Sequence, residues 1–414
     1  MVRESKSFDA GRRPPFIVRA LTALVAVILT LLVCEIALRY LYPQGGQPLI
    51  YDFDASLGHR MRAGVDLVQV WDNHENVSRV RTNSLGLRGA EIPRAKAPGE
   101  ERILVLGDSY AFGYGVGDED TFAAILEREL NAEPGGRRVV VANAGVSSYG
   151  TAQELLRYRE LHSIVHPDVT VLTFFIGNDV HDNLCLEYIS LRPRHDFPCF
   201  AVRDGALVQQ SAPVEKKPKK ESQGLVAAIR NAIKDSETYA LLTTKPKVLL
   251  QTSPALVRLL LRLGLDLRPE YVPHVVAGWY LPENAARGWD LTQHLLAELQ
   301  KEVAADGGRM VLIIIPSRTQ VIPDMLALTA MLYPGEAPVD EFLADPDRPQ
   351  RMLQQFANDH GIAVLDTTPI LRANGGGALY YPAIAHWNEK GHKVVADALR
   401  ELLAREGIVT RQGA

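Results

Sequence analysis

Ile103-Leu104-Val105-Leu106-Gly107-Asp108-Ser109 is the stretch that decides the fold. Four apolar residues run without alternation and stop at a glycine. A strand buried on both faces has this pattern, and parallel sheets are built from such strands. Working outward, similar short apolar runs recur at 139–142, 169–176, 310–315 and 362–365. Helical periods lie between several of them, at 121–130, 151–161, 288–305 and 349–359. This alternation predicts an α/β fold, a doubly wound parallel sheet of five strands between two helical layers. The third and fourth runs are too far apart for one crossover, so residues 186–287 are read as a helical insertion. It contains the basic run 216–220 and an amphipathic stretch, 255–263, read as a lid, a membrane-surface helix or a helix packed on the domain.

The chemistry sits where these runs end. Gly107-Asp108-Ser109 closes the first run at its C-terminal end, where open parallel sheets bind ligands. The second ends in Asn143-Ala144-Gly145. Glycine lets the backbone approach closely, and its N–H is expected to be free to donate. The third ends in Gly177-Asn178-Asp179, where the Asn178 amide can donate too. A nucleophile, a backbone donor and an amide donor along one edge suit acyl transfer, because charge develops on the carbonyl oxygen. Losing one such donor typically costs roughly 100- to 1,000-fold in rate. Near the C-terminus stands His386-Trp387-Asn388-Glu389-Lys390-Gly391-His392. Asn388 reads as a helix N-cap. His386 then lies in the preceding loop, free to take a proton from a serine. His392 falls inside the helix and reads as structural.

Gly107-Asp108-Ser109, Gly145, Gly177-Asn178-Asp179 and His386-Trp387-Asn388 resemble the four sequence blocks of the SGNH/GDSL hydrolases. The resemblance covers residues 80 to 400, roughly, by the order of these blocks. It implies Ser109 as nucleophile and His386 as general base. It also implies an oxyanion hole made by the Ser109 N–H, Gly145 and the Asn178 side chain. Thr82-Asn83-Ser84-Leu85-Gly86-Leu87-Arg88 and 316–321 are similar to membrane-anchored members. One position departs. The family usually places an Asp two or three residues before the histidine, and here Ile384 and Ala383 stand there. Three readings stay open: another group such as Asp366 orients His386, the site works as a Ser–His dyad, or it is impaired.

Residues 16–42 form a strongly apolar run interrupted only by Arg19, Glu35 and Arg39. A bilayer span needs about 20 mostly apolar residues. Arg3, Lys6, Arg12, Arg13 and Arg19 cluster on the N-terminal side, so residues 1–15 are expected in the cytoplasm and the rest periplasmic or extracellular. No small-x-small cleavage site follows the run, which argues against a removed signal peptide. Residues 43–99 read as an extracytoplasmic collar and 100–406 as the catalytic domain. Cys185 and Cys199 are fourteen residues apart, and outside the cytoplasm such a pair can oxidise. The net charge of −4 and pI near 6.3 give no basic excess for nucleic acid. His162 and His166 lack a third ligand, and no phosphate or dinucleotide fingerprint appears, so neither metal nor cofactor is expected.

The expected function is hydrolysis of acyl or acetyl esters of a glycan or lipid through an acyl-Ser109 intermediate. The alternatives are O-acyl transfer to an envelope polysaccharide, and a non-catalytic membrane-anchored scaffold.

Overall fold

The computed structural model describes residues 15–42, 50–71, 76–132, 137–185, 197–210, 225–234, 236–265, 267, 273–382 and 384–409. The first element is helix α1 (Phe16–Leu41), none of whose residues is buried. It is long and apolar enough to cross a membrane. The Thr22 and Thr30 hydroxyls donate to the Val18 and Ala26 carbonyls one turn back. Those polar groups are thereby satisfied inside the helix, as an apolar solvent requires.

The segment after α1 forms two hairpins, β1 (Tyr51–Asp54) with β2 (Gly58–Met61), and β3 (Asp66–Val70) with β4 (Val77–Arg81). Next come β5 (Glu101–Leu106), α2 (Ser109–Phe112), α3 (Phe122–Ala132), β6 (Val139–Asn143), α4 (Thr151–Val165), β7 (Val169–Phe175) and α5 (Asp179–Asn183). Within the insertion lie β8 (Phe200–Arg203), β9 (Ala206–Gln209), α6 (Leu225–Lys234), α7 (Glu237–Thr252), α8 (Pro254–Arg262) and α9 (His274–Trp279). The chain then continues through α10 (Pro282–Ala305), β10 (Arg309–Ile315), α11 (Arg318–Val321), α12 (Pro323–Leu332) and α13 (Ala337–Ala344). It finishes with α14 (Arg348–Asp359), β11 (Ala363–Asp366), α15 (Thr367–Ala373) and α16 (Glu389–Arg405).

The main sheet runs β11-β10-β7-β5-β6 with every neighbouring pair parallel. This is the doubly wound fold that the alternation of elements predicts. The strand order reverses between β5 and β7, the crevice where such sheets hold their ligands. The pleat sends successive side chains to opposite layers. Leu104, Leu106, Leu172, Phe174, Leu312 and Ile314 share one core with α4 and α10. Ile103, Val105, Val171, Val311 and Ile313 share the other with α3 and α16.

The insertion is not wholly helical, contrary to the sequence reading. The β8–β9 hairpin turns through Asp204 and Gly205, with φ of 51° and 74°. An Asp-Gly pair at positive φ matches the twist of a two-residue hairpin. Cys185 and Cys199 form a disulfide with Cα atoms 5.9 Å apart. Helix α10 begins at Pro282, earlier than its apolar period suggests, because proline suits the first helical position. By contacts the chain divides into two compact units, 1–44 with 221–246, and 45–220 with 247–414.

Candidate active site

Ser109 is the first residue of α2, directly beyond β5. Asp108 caps that helix, its Oδ1 accepting the Tyr110 N–H at 2.8 Å. The turn depends on Gly107, whose φ is 152°. A Cβ there would meet Thr173 Oγ1 at 1.8 Å. His386 lies in the loop before α16, which Asn388 caps by accepting the Lys390 and Gly391 N–H groups at 3.1 Å each. The fold brings these distant residues together, with His386 Nε2 2.7 Å from Ser109 Oγ. Tyr110 and Tyr114 flank the imidazole at 4.8 and 5.0 Å between ring centroids.

The other ring nitrogen has a backbone partner where the family usually places an Asp. His386 Nδ1 lies 2.6 Å from the Ile384 carbonyl oxygen. A carbonyl can only accept, so Nδ1 carries the proton and Nε2 presents its lone pair to Ser109. The loop reaches this geometry because Ala385 adopts φ of 57°, rare for a residue with a Cβ. Asp366 does not serve as the substitute. It caps α15 through the Thr368 N–H and accepts from Gln354 Nε2, while both ring nitrogens of His386 are taken by Ile384 O and Ser109 Oγ. Glu389 accepts from Tyr381 Oη and Asn76 Nδ2. Ala383 lies outside the described residues. Burial pushes the His386 pKa down to about 4, with Arg318 acting in the same direction and the Ile384 carbonyl opposing.

Gly145 lies against the nucleophile turn. A Cβ at this position would be 2.3 Å from the Phe112 nitrogen. Its N–H is not free, contrary to the sequence reading, and donates to Asn143 Oδ1 at 3.0 Å. A buried N–H without an acceptor costs about 1–3 kcal/mol, and the side chain two residues back removes that cost. Asn178 is the N-cap residue of α5, beyond β7, without a capping bond from its side chain. Its Nδ2 donates to Asp182 Oδ2 at 2.6 Å. An amide nitrogen has two hydrogens, so a second remains for a ligand. His392 is structural: its Nδ1 accepts the Phe122 N–H, and burial pushes its pKa down to about 3.

Two further features escaped the sequence reading. Beneath the site, Asp108, Glu154, Asp179 and Asp182 are all buried. Neither carboxyl oxygen of Glu154 has a hydrogen-bond partner among the described residues. Burial, reinforced by Asp182, pushes Asp108 up to about 7. Glu154 and Asp179 are raised well above the carboxylate range, first by burial and then by the other carboxyls. The second feature is Arg88, buried and bonded to the Phe112, Gly113 and Val116 carbonyls at 2.6–2.7 Å and to Asp118 at 3.1 Å. It clamps the turn that leaves α2. Four acidic letters scattered over 75 positions carry no spacing signal, whereas the stretch around Arg88 drew notice only as a family likeness. No group of three or more His, Cys, Asp or Glu able to hold a metal occurs among the described residues.

The profile of the GDSL-like lipase/acylhydrolase family matches residues 105–394, most of the chain. The protein is a member of that family. As a GDSL-family member it is a carboxylic ester hydrolase. No curated protein matches it. Solved structures that it resembles include the lipase/acylhydrolase from Enterococcus faecalis, at 13% identity. That alignment covers 76% of this chain and 100% of the other, with a TM-score of 0.37. A catalytic mutant of Axe2, an acetylxylan esterase from Geobacillus stearothermophilus, is 13% identical over 75% of this chain and 96% of its own, with a TM-score of 0.37. The psychrotrophic esterase EstA from Pseudoalteromonas sp. is 14% identical over 74% and 98%, with a TM-score of 0.34.

Proposed function

We propose that this GDSL hydrolase cleaves short acyl esters of a glycan outside the cytoplasm, using Ser109 and His386 as a dyad whose third partner is the Ile384 carbonyl. The observation that carries this reading is the chain of bonds from Ile384 O through the imidazole to Ser109 Oγ. In the first half-reaction Ser109 Oγ attacks the ester carbon and its proton passes to His386 Nε2. The tetrahedral oxyanion is held by the Ser109 N–H, the second Asn178 N–H and Gly145, once Gly145 turns its N–H from Asn143. Collapse breaks the C–O bond, and His386 gives the proton to the leaving sugar hydroxyl. Water then attacks the acyl-Ser109 ester, loses a proton to His386, and releases the acid as Ser109 is re-protonated.

A cleft of about 210 Å³ adjoins the loop that carries His386, through Tyr380, Tyr381 and Pro382, and we assign the alcohol part of the ester to it. Its lining includes Arg318, Asp324, Ile322, Met325, Tyr380 and Tyr381, but neither Ser109 nor His386. It is smaller than the roughly 300–1,000 Å³ of drug-sized sites. A serine-directed phosphonate is expected to label Ser109 in the native protein and to miss Ser109→Ala. Ser109→Ala is also expected to lose turnover of acetylated glycans while keeping its melting temperature. Full activity in Ser109→Ala would refute the assignment.

We also propose that α1 spans a bilayer with residues 1–15 in the cytoplasm. A reporter active only outside the cytoplasm, fused after Ala414, is expected to be active. Activity of a reporter confined to the cytoplasm would refute this topology.

A further inference from the structure

The apolar helix α1 contains a carboxylate that a simple anchor would not need. Glu35 accepts the Glu237 N–H at 3.1 Å, the Thr238 N–H at 3.0 Å and the Thr238 hydroxyl at 3.0 Å, and it also pairs with Arg39 at 2.8 Å. These bonds fasten the first turn of α7 to α1. From Phe16 to Glu35 the helix rises about 29 Å, matching the roughly 30 Å of bilayer hydrocarbon. Glu35 therefore falls at the boundary between acyl chains and headgroups, and it holds the start of α7 at the same depth.

The neighbouring surface is built for that level. On α6, Ile229 and Ile233 are 51% and 53% exposed, one turn apart on one face. On α7, Tyr239 and Leu242 are 40% and 66% exposed, again on one face. Arg230 lies between the first pair in sequence, and no charged residue lies between Tyr239 and Leu242. The surrounding sequence is basic within an acidic chain. Residues 215–247 hold Lys216, Lys217, Lys219, Lys220, Arg230, Lys234, Lys245 and Lys247 against Glu215, Glu221, Asp235 and Glu237, while the whole chain has net charge −4. Apolar side chains on helices with basic surroundings fit an anionic lipid surface.

We propose that α6 and the first half of α7 form an interfacial platform seated on the anionic bilayer that α1 crosses, locked at headgroup depth by Glu35. The proposal rests on α1 being the span, and the test separates the two. Full-length protein carrying Cys34→Ser receives an environment-sensitive fluorophore at Ile229→Cys or Leu242→Cys. Leu24→Cys on α1 reports the span, and the exposed Glu401→Cys on α16 gives the soluble-surface reference. Each is reconstituted into vesicles of equal phosphatidylglycerol and phosphatidylcholine containing a headgroup-level nitroxide lipid, or a deep nitroxide lipid for Leu24. Labels at 229 and 242 are expected to be quenched severalfold more than at 401, less so in phosphatidylcholine alone, and Glu35→Ala is expected to weaken the quenching at 242. Quenching at 24 without quenching at 229 and 242 would overturn the platform and leave the span intact. No quenching at 24 would overturn both. Equal quenching in neutral vesicles would overturn the anionic preference.

Discussion

At the residue scale, His386 takes its orientation from a group that every residue possesses. Burial holds the imidazole neutral down to about pH 4, and only the neutral form accepts the Ser109 proton. The acid limb of kcat/KM is therefore expected near pH 4, below the ordinary histidine value of about 6.5. A pH–rate profile that falls off near 6.5 would contradict this. A carboxylate engineered at the family's usual position is not expected to help. The Ile384 side chain is buried, and its Cδ1 would lie 2.4 Å from a Cβ on Gly115, so it packs toward that glycine. Ile384→Asp should lower the melting temperature, because a buried Asp without partners costs several kcal/mol, and should leave kcat no higher. A faster, equally stable variant would show that the new carboxylate reaches the ring. Ser109 and His386 were legible in the sequence because each sits where a regular element starts or stops. Ile384 was not, since what selects its carbonyl is the left-handed backbone of Ala385, and alanine carries no such signal in its letter.

At the element scale, the main strands were readable because β5, β6, β7 and β10 are largely apolar runs buried on both faces, while the short β11, with only Leu365 buried, was legible from its apolar letters alone. The β8–β9 hairpin was not, because each strand has only four residues, too few to show a period, although Asp204-Gly205 is a recognisable turn pair. Helix α2 has only four residues, too few to show a period, and it depends on outside bonds. Its last carbonyls are taken by Arg88. Arg88→Ala would strand the buried Phe112 and Val116 carbonyls and remove a partner of Gly113 and Asp118, at a cost of about 3–5 kcal/mol. Thermal melting is expected to show a large loss, and any remaining folded protein a lower kcat, since the serine sits on the same four-residue helix. A small change in both would mean that water replaces the guanidinium.

At the scale of the whole molecule, buried carboxyls tie stability to pH. The folded-state pKa values of Asp108, Glu154 and Asp179 are raised above their unfolded values. The folded protein thus holds protons that the unfolded chain releases. The share of stability these carboxyls contribute is full below the unfolded carboxylate range near 4 and is lost as pH rises, through about 7 for Asp108, while buried His386 and His392 act in the opposite direction as pH falls below 6.5. The advantage in melting temperature that the wild type draws from Glu154 should decline across that window, so Glu154→Gln, keeping the fold, should show a more positive slope of melting temperature against pH than the wild type. An unchanged slope in this variant would show that Glu154 releases no proton on unfolding. The Ile384 carbonyl has another kind of consequence. A peptide oxygen has no side chain to delete, so an alanine scan of this enzyme would return a serine and a histidine and no third member. Such a scan would suggest an unassisted pair. Only replacing the peptide link itself, as an ester in the backbone after Ile384, would weaken that acceptor and reveal the partner that substitution cannot reach.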